Sequence, residues 1–155
     1  KELVDEYILV TNDALRGRPA NMTTAMHLCR GNFKGHYLSE GGYESVAERM
    51  FNDLDIDVFL LEYDTDRAGG FEPLRFIPKG KQVVLGLVTT KVGELESQDA
   101  LLRRIEEASK YVPMENLALS PQCGFASVDQ GNLITWDDQR RKLELVVETA
   151  RKAWG

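Results

Sequence analysis

The sequence predicts an α/β fold built from parallel strand–helix units. Three observations predict it. Four short apolar runs are near-continuous rather than alternating, the pattern of strands covered on both faces. Helical periodicities fall between those runs, and such alternation makes a parallel sheet. Polar residues able to bind metal sit where the runs end, and parallel strands place all those ends on one face.

The elements follow in order. Residues 1–16 read as a helix with Leu3, Tyr7 and Val10 on one face. The first strand is Thr24–Leu28, and Gly42–Leu54 follows as a helix with Val46, Met50 and Leu54 at helical spacing. The second strand is Val58–Glu62, followed by a short or irregular helix at Phe71–Ile77. Val83–Val88 is the third strand. The helix after it, Gln98–Tyr111, carries Leu101, Leu102, Ile105 and Ala108 and starts after Ser97, a good N-cap. Leu117–Ser120 is the fourth strand. Trp136–Trp154 closes the chain as a helix with Leu143, Leu145, Val146, Ala150 and Ala153 as its apolar set. Thr135 with Asp138 three residues on marks its N-cap and acidic first turn, and Trp136 and Trp154 read as packing residues.

Two architectures fit this order: a small doubly wound sheet, or the second half of a (β/α)₈ barrel. A whole barrel needs roughly 250 residues, so the 155 present are about half of one. Half a barrel leaves two sheet edges open, which predicts either a missing N-terminal half or self-association. No linker, repeat or low-complexity stretch divides the chain, so residues 1–155 are expected to be one domain.

Composition narrows the function. Hydrophobic residues are 43% and charged residues 28%, as in ordinary globular proteins. The net charge of −6 argues against a nucleic-acid partner, which calls for clustered Lys and Arg. No apolar run approaches the roughly 20 residues that span a bilayer, and the first residues lack the apolar stretch of a signal peptide. The expected location is therefore the cytoplasm, away from membranes. There, two distant cysteines, Cys29 and Cys123, are buried bystanders, metal ligands or catalytic groups rather than a disulfide.

The strand ends carry the chemistry. His27 and Cys29 end the first strand, Glu62 ends the second, and Cys123 follows the fourth. Side chains at i and i+2 of a strand point the same way, so His27 and Cys29 can reach one point. Two thiolates, an imidazole and a carboxylate make a tetrahedral zinc set. The other reading keeps both cysteines as small hydrophobes and Glu62 as a salt-bridged strand terminus. Arg30 and Asn32 lie just after the ligand pair as candidates to orient substrate. Asp64, Asp66 and Arg67 follow Glu62, with Asp64 a further substrate candidate and all three possible supports for Glu62. Gly41-Gly42 and Gly69-Gly70 read as turns near the site, and His36 as an ordinary loop residue.

At these residues a resemblance becomes specific. His27-Leu28-Cys29, Glu62 in its Leu-Glu-Tyr-Asp context, and Pro121-Gln122-Cys123-Gly124 resemble the zinc-ligand segments of the cobalamin-independent methionine synthase family. Order and intervals are similar, and the likeness runs from about Thr23 to Trp154, nearest to the short single-barrel members. The resemblance implies the C-terminal half of a TIM-type barrel, with His27, Cys29, Glu62 and Cys123 binding Zn2+. It implies methyl transfer to a thiol through a zinc-bound thiolate, with homocysteine the acceptor and methionine the product, and hence a place in amino-acid biosynthesis. A site of net charge about −1 keeps a bound sulfur deprotonated and nucleophilic.

One departure leaves the donor open. In the long members the third-strand end carries Asp-Ile-His-Ser, whose His is a proposed proton donor to the folate leaving group. Here the stretch is Val88-Thr89-Thr90-Lys91, with Lys91 in the His place. Lys91 is thus the catalytic candidate, as proton donor or as a grip on an anionic donor such as methyltetrahydrofolate; its plain reading is a solvated loop lysine. Alkylation of another thiol such as coenzyme M, and a non-catalytic zinc-binding fragment, are the competing functions. The family's acidic groups for the amino end of homocysteine lie upstream of the His-x-Cys segment. Little turnover is therefore expected of this chain alone.

Overall fold

Four strands, β1 (Ala25–Leu28), β2 (Val58–Glu62), β3 (Gln82–Val88) and β4 (Leu117–Pro121), pair in parallel in the order β1-β2-β3-β4. The computed structural model describes residues 2–155, so Lys1 of the expected first helix lies outside the described residues. This strand order decides between the two architectures. A doubly wound sheet must reverse its order at a switch point, whereas strands that advance one place at each step are the arrangement of a (β/α) barrel. The helices are α1 (Glu2–Leu15), α2 (Glu44–Asp53), α3 (Gln98–Ser109) and α4 (Trp136–Trp154), and single 3₁₀ turns cover Asp66–Ala68, Glu72–Phe76 and Met114–Asn116. Every strand expected from the sequence is present, within a residue at each end.

The core lies on one face of the sheet. Phe59, Leu61, Val83 and Leu85 point toward buried residues of α2 and α3, including Ala47, Phe51, Leu101, Ile105 and Ala108. Phe51 meets Phe59 edge-on, with centroids 4.9 Å apart. The opposite face differs from the expectation of strands covered on both sides. Ala25, His27 and Ala118 are exposed there, and Val58, Leu60 and Val84 are half-buried. Near-continuous apolar runs suit a barrel interior, and among the described residues no layer lies over this face.

Two helices present faces that periodicity did not give. In α1 the stripe Val4–Ile8–Leu15 packs on the core, while Leu3, Tyr7 and Val10, the expected face, are exposed. Asn12 sets that rotation: its side chain donates to Asp53 O (2.7 Å) and accepts from Asp55 N–H (2.8 Å), tying α1 to the end of α2. In α4 the buried positions are Lys142 and Thr149, with Leu145, Val146 and Ala153 partly buried around them. Lys142 reaches the Glu94 carbonyl and lies 3.2 Å from the Glu96 carboxylate. Trp136 is 86% exposed, which corrects its reading as a packing residue, because it sits on the far side of the helix from this stripe. Trp154 does pack, donating its indole N–H to Met114 O at 2.9 Å. No described helix is long and apolar enough to cross a membrane.

The caps divide. Ser97 occupies the N-cap of α3 but makes no side-chain bond to the helix. Thr135 and Asp138 form a reciprocal capping box at α4: the Thr135 hydroxyl accepts from Asp138 N–H, and Asp138 accepts from Thr135 N–H. The amide and hydroxyl of Thr135, with Arg141, hold the Asp138 carboxyl down to about 2. A carboxyl whose folded value lies below its unfolded one stabilises above the unfolded value and loses that contribution as pH falls. Acid unfolding followed by circular dichroism should therefore show α4 stabilised above about pH 4 and weakening between about pH 4 and 2. Thr135→Ala should cost about 0.5–2 kcal/mol of stability at neutral pH.

Candidate metal centre

Strand geometry brings the four metal-capable side chains to one point. β1 pairs His27 with Leu60, and β2 carries Glu62 two residues beyond Leu60 on the same face. Cys29 lies two residues beyond His27, just past the end of β1, and Cys123 lies two residues past the end of β4. One ligand atom from each of His27, Cys29, Glu62 and Cys123 lies within 4.8 Å of all the others. The two sulfurs are 4.0 Å apart and both thiols are free. His27 Nε2 is 3.5 Å from Glu62 Oε1. For comparison, zinc bond lengths of about 2.0–2.3 Å make the edges of a tetrahedral site about 3.3–3.8 Å. The cluster is thus close to closing on a small cation.

Local electrostatics favour such a cation. Glu62 Oε1 is buried and has no hydrogen-bond partner. Leaving such an acceptor unpaired costs about 1–3 kcal/mol, more for a charged group. Burial pushes the Cys29 thiol up; the Gly31 amide, 3.3 Å from its sulfur, opposes this, and the charges of Cys123 and Glu62 add to it. Burial also pushes the Glu62 carboxyl up, but His27, Arg67 and the charge of Lys91 together hold it below its ordinary value. The nearby Glu62 carboxylate, 3.5 Å from His27 Nε2, raises His27 against its partial burial. Two thiols, an imidazole and a carboxylate gathered at one point are the donor set that a soft divalent cation satisfies. The fit is good on both counts, spacing and charge.

Glu62 is held by its backbone as well. β1 ends at Leu28, so the outer edge of β2 lacks a strand partner at Glu62. The Tyr43 hydroxyl fills that place, accepting from Glu62 N–H (2.9 Å) and donating to Glu62 O (3.3 Å). Gly41-Gly42 and Gly69-Gly70 are the turns expected near the site, and they abut: a Cβ on Gly69 would lie 3.4 Å from Gly42 Cα.

The remaining candidates divide. Asp64 is not open to substrate, because Arg67 takes one of its oxygens and Lys91 the other, both at 3.0 Å, with its side chain fully buried. Arg30 is likewise engaged, stacked 4.3 Å from the Tyr43 ring and donating to the Gly41 carbonyl. Both charges are thus engaged within the protein. Asn32 donates to Gly124 O at 2.9 Å, beside Cys123, while its own carbonyl oxygen is buried without a partner. Lys91 is not a solvated loop lysine, since its side chain is only 9% exposed against Asp64. Asp66 is exposed and His36 lies in an exposed bridge with Phe33.

Several supporting residues gave no sequence signal. Gln122, next to Cys123, accepts from the Thr90 amide and hydroxyl at 2.8 and 2.9 Å, fixing the β4 loop against the β3 loop. Asn132 donates to Thr90 O (2.9 Å) and Ser127 joins it to the Lys34 amide, so three strand-end loops lock together. Only the polar character of Gln122 beside a candidate ligand could have pointed to it.

Comparison with known proteins places this chain in a family. The catalytic domain of the cobalamin-independent synthases matches residues 15–152, nearly the whole chain. The chain belongs to that family. Among individual relatives, the uncharacterized protein YxjG of Bacillus subtilis is 54% identical over 99% of this chain and 41% of its own length. The 5-methyltetrahydropteroyltriglutamate–homocysteine methyltransferase of Bacillus licheniformis is 27% identical over 97% of this chain and 18% of its own. A crystal structure from Listeria monocytogenes, of a protein provisionally named a vitamin-B12-independent methionine synthase, superposes with a TM-score of 0.74 at 36% identity. It covers 100% of this chain and 42% of that one. This member of the synthase family thus spans about two fifths of the length of YxjG and of the Listeria protein, and its sheet is the matching part of a barrel.

Proposed function

We propose that the chain carries the metal centre of a zinc-dependent methyltransferase whose acceptor is a thiol, homocysteine, giving methionine. The observation that supports it is the four-ligand cluster at the strand ends, with Glu62 Oε1 buried and unpaired. His27, Cys29, Glu62 and Cys123 would hold Zn2+. Bound there, zinc supplies the acidity that keeps a substrate thiol ionised and nucleophilic at neutral pH.

The chain's own residues have separable tasks. Glu62 is the hard donor among softer ones and would be the metal ligand most readily displaced. Asn32, with a free buried carbonyl oxygen next to the Cys123–Gly124 turn, orients the substrate. Lys91, fixed by Asp64, offers a positive charge or a proton to the departing methyl carrier, with methyltetrahydrofolate the donor proposed here. A hollow of about 260 Å³ between His27, Leu60 and the Ser120–Gly124 segment is the open side from which substrate reaches the cluster. We take residues 1–155 to act as one cytoplasmic domain that needs further polypeptide to complete the substrate pocket, so turnover by this chain alone should be negligible.

Mixing homocysteine with the zinc-loaded chain at pH 7 should release about one proton per chain, read with a pH indicator, because a coordinating thiol loses its proton. No release would identify a closed structural zinc site and refute the thiol-activation reading. Coenzyme M competing more strongly than homocysteine would move the acceptor to that thiol.

A further inference from the structure

We infer that Arg67 is the positioning residue that makes Glu62 a one-oxygen metal ligand, an inference that rests on the metal-centre reading above. The two oxygens of Glu62 have different surroundings. Oε2 lies 3.2 Å from Arg67 Nη2, whereas Oε1 faces His27 and has no hydrogen-bond partner. The side chain is wholly buried, so the difference is built into the fold rather than chosen by solvent.

Arg67 is itself held at both Nη atoms and through its backbone, while its Nε is buried without a hydrogen-bond partner. It belongs to the single 3₁₀ turn Asp66–Ala68 that folds back just after β2. Its backbone carbonyl accepts from Gly41 N–H at 2.9 Å, its Nη1 donates to Ser39 O at 3.3 Å, and its guanidinium lies 4.6 Å from the centre of the Tyr37 ring. The same Nη2 that meets Glu62 lies 3.0 Å from Asp64 Oδ1, and Asp64 Oδ2 lies 3.0 Å from Lys91 Nζ. Glu62, Arg67, Asp64 and Lys91 thus form a chain of alternating charge in which no side chain is more than 9% exposed.

Burying such a chain for stability alone is poor physics, since well-packed apolar residues do as well or better. Its effect lies at Glu62. With Oε2 committed to Arg67, only Oε1 would remain for a cation, and the guanidinium would hold the carboxylate in place with or without one. The task suits Arg rather than Lys, because one arm of the fork, Nη2, serves both carboxylates while the other, Nη1, is anchored on Ser39 O, a spread of donors that a single ammonium does not offer. Asp64 and Lys91 keep that fork from rotating away.

The test uses Arg67→Met and Arg67→Lys in the whole chain. Metal affinity is read by chelator competition and ligand geometry by the absorption spectrum of the cobalt(II)-loaded protein. Outer partners of metal ligands are worth about 10–100-fold in affinity. Arg67→Met should bind one metal that much more weakly with an altered cobalt spectrum, and Arg67→Lys should recover only part of the loss. Asp64→Asn, which keeps the side-chain shape, is the second variant should Arg67→Met fail to fold, and it should weaken binding by a smaller factor with the same spectral change. Wild-type affinity and an unchanged spectrum in folded variants would overturn the role of Arg67 while leaving the metal centre intact. Failure of the unaltered chain to bind zinc or cobalt would instead overturn the metal-centre reading on which this inference stands.

Discussion

Replacing Cys123 or Cys29 by serine is expected to strip the chain of tightly bound zinc. A four-ligand protein zinc site is worth about 10–16 kcal/mol at neutral pH. One ligand's equal share is therefore about 2.5–4 kcal/mol, or two to three orders of magnitude in affinity. Serine cannot replace it, because its hydroxyl does not ionise near neutral pH and is a harder donor than sulfur. Each single variant should lose zinc on dialysis against a weak chelator, and the double variant should bind none. The folded chain itself should survive. Cys29 is exposed and Cys123 only half-buried, so neither fills the core, and substitutions at such positions usually change stability by no more than about 0.5 kcal/mol. Zinc measured by atomic absorption beside thermal unfolding separates the two effects; full zinc retention in both single variants would rule the sulfurs out as ligands.

The largest expected effect on the fold comes from Gly86, in the middle of β3. An added Cβ there would lie 2.8 Å from Gln122 Cα and 2.8 Å from Leu61 O. Both are backbone atoms, so no side chain can rotate away to make room. The close approach is functional in its consequence: it draws the end of β4 against β3 at the irregular register between Gly86 and Val88. Gly86→Ala should therefore cost about 1–3 kcal/mol or more from overpacking. It should also move Gln122, and with it Cys123, so that metal affinity falls along with stability. Denaturant unfolding checks the first effect and chelator competition the second. Wild-type stability in Gly86→Ala would show that the sheet relaxes there at little cost.

The strands and the four cluster residues were legible for the same reason. Apolar runs of strand length declare themselves in sequence, and the two-residue period then dictates that His27 and Cys29 share a direction. Parallel order puts Glu62 and Cys123 at the same end. The α4 cap was legible because both partners, Thr135 and Asp138, lie within one helical turn. What escaped was set by contacts between segments far apart in the chain. Lys142 reads as a surface lysine until α4 lies against Glu94 and Glu96, some 46 residues away. Asp64 reads as a free carboxylate until Lys91, 27 residues on, closes over it. The exposed Leu3, Tyr7 and Val10 show the limit of periodicity: several rotations of α1 bury apolar side chains, and Asn12 with the end of α2 selects one. Nothing near Arg30 in sequence announces the Tyr43 ring on which it stacks.

Zinc-edge X-ray absorption of the zinc-loaded chain, with and without homocysteine, is the most direct test of the metal centre and its proposed use. Two sulfur ligands and two nitrogen or oxygen ligands are expected in the protein alone, rising to three sulfurs with loss of one oxygen when the thiol is added. Two sulfurs before and after addition would contradict thiol activation at this cluster, and fewer than two in the protein alone would contradict the ligand set itself.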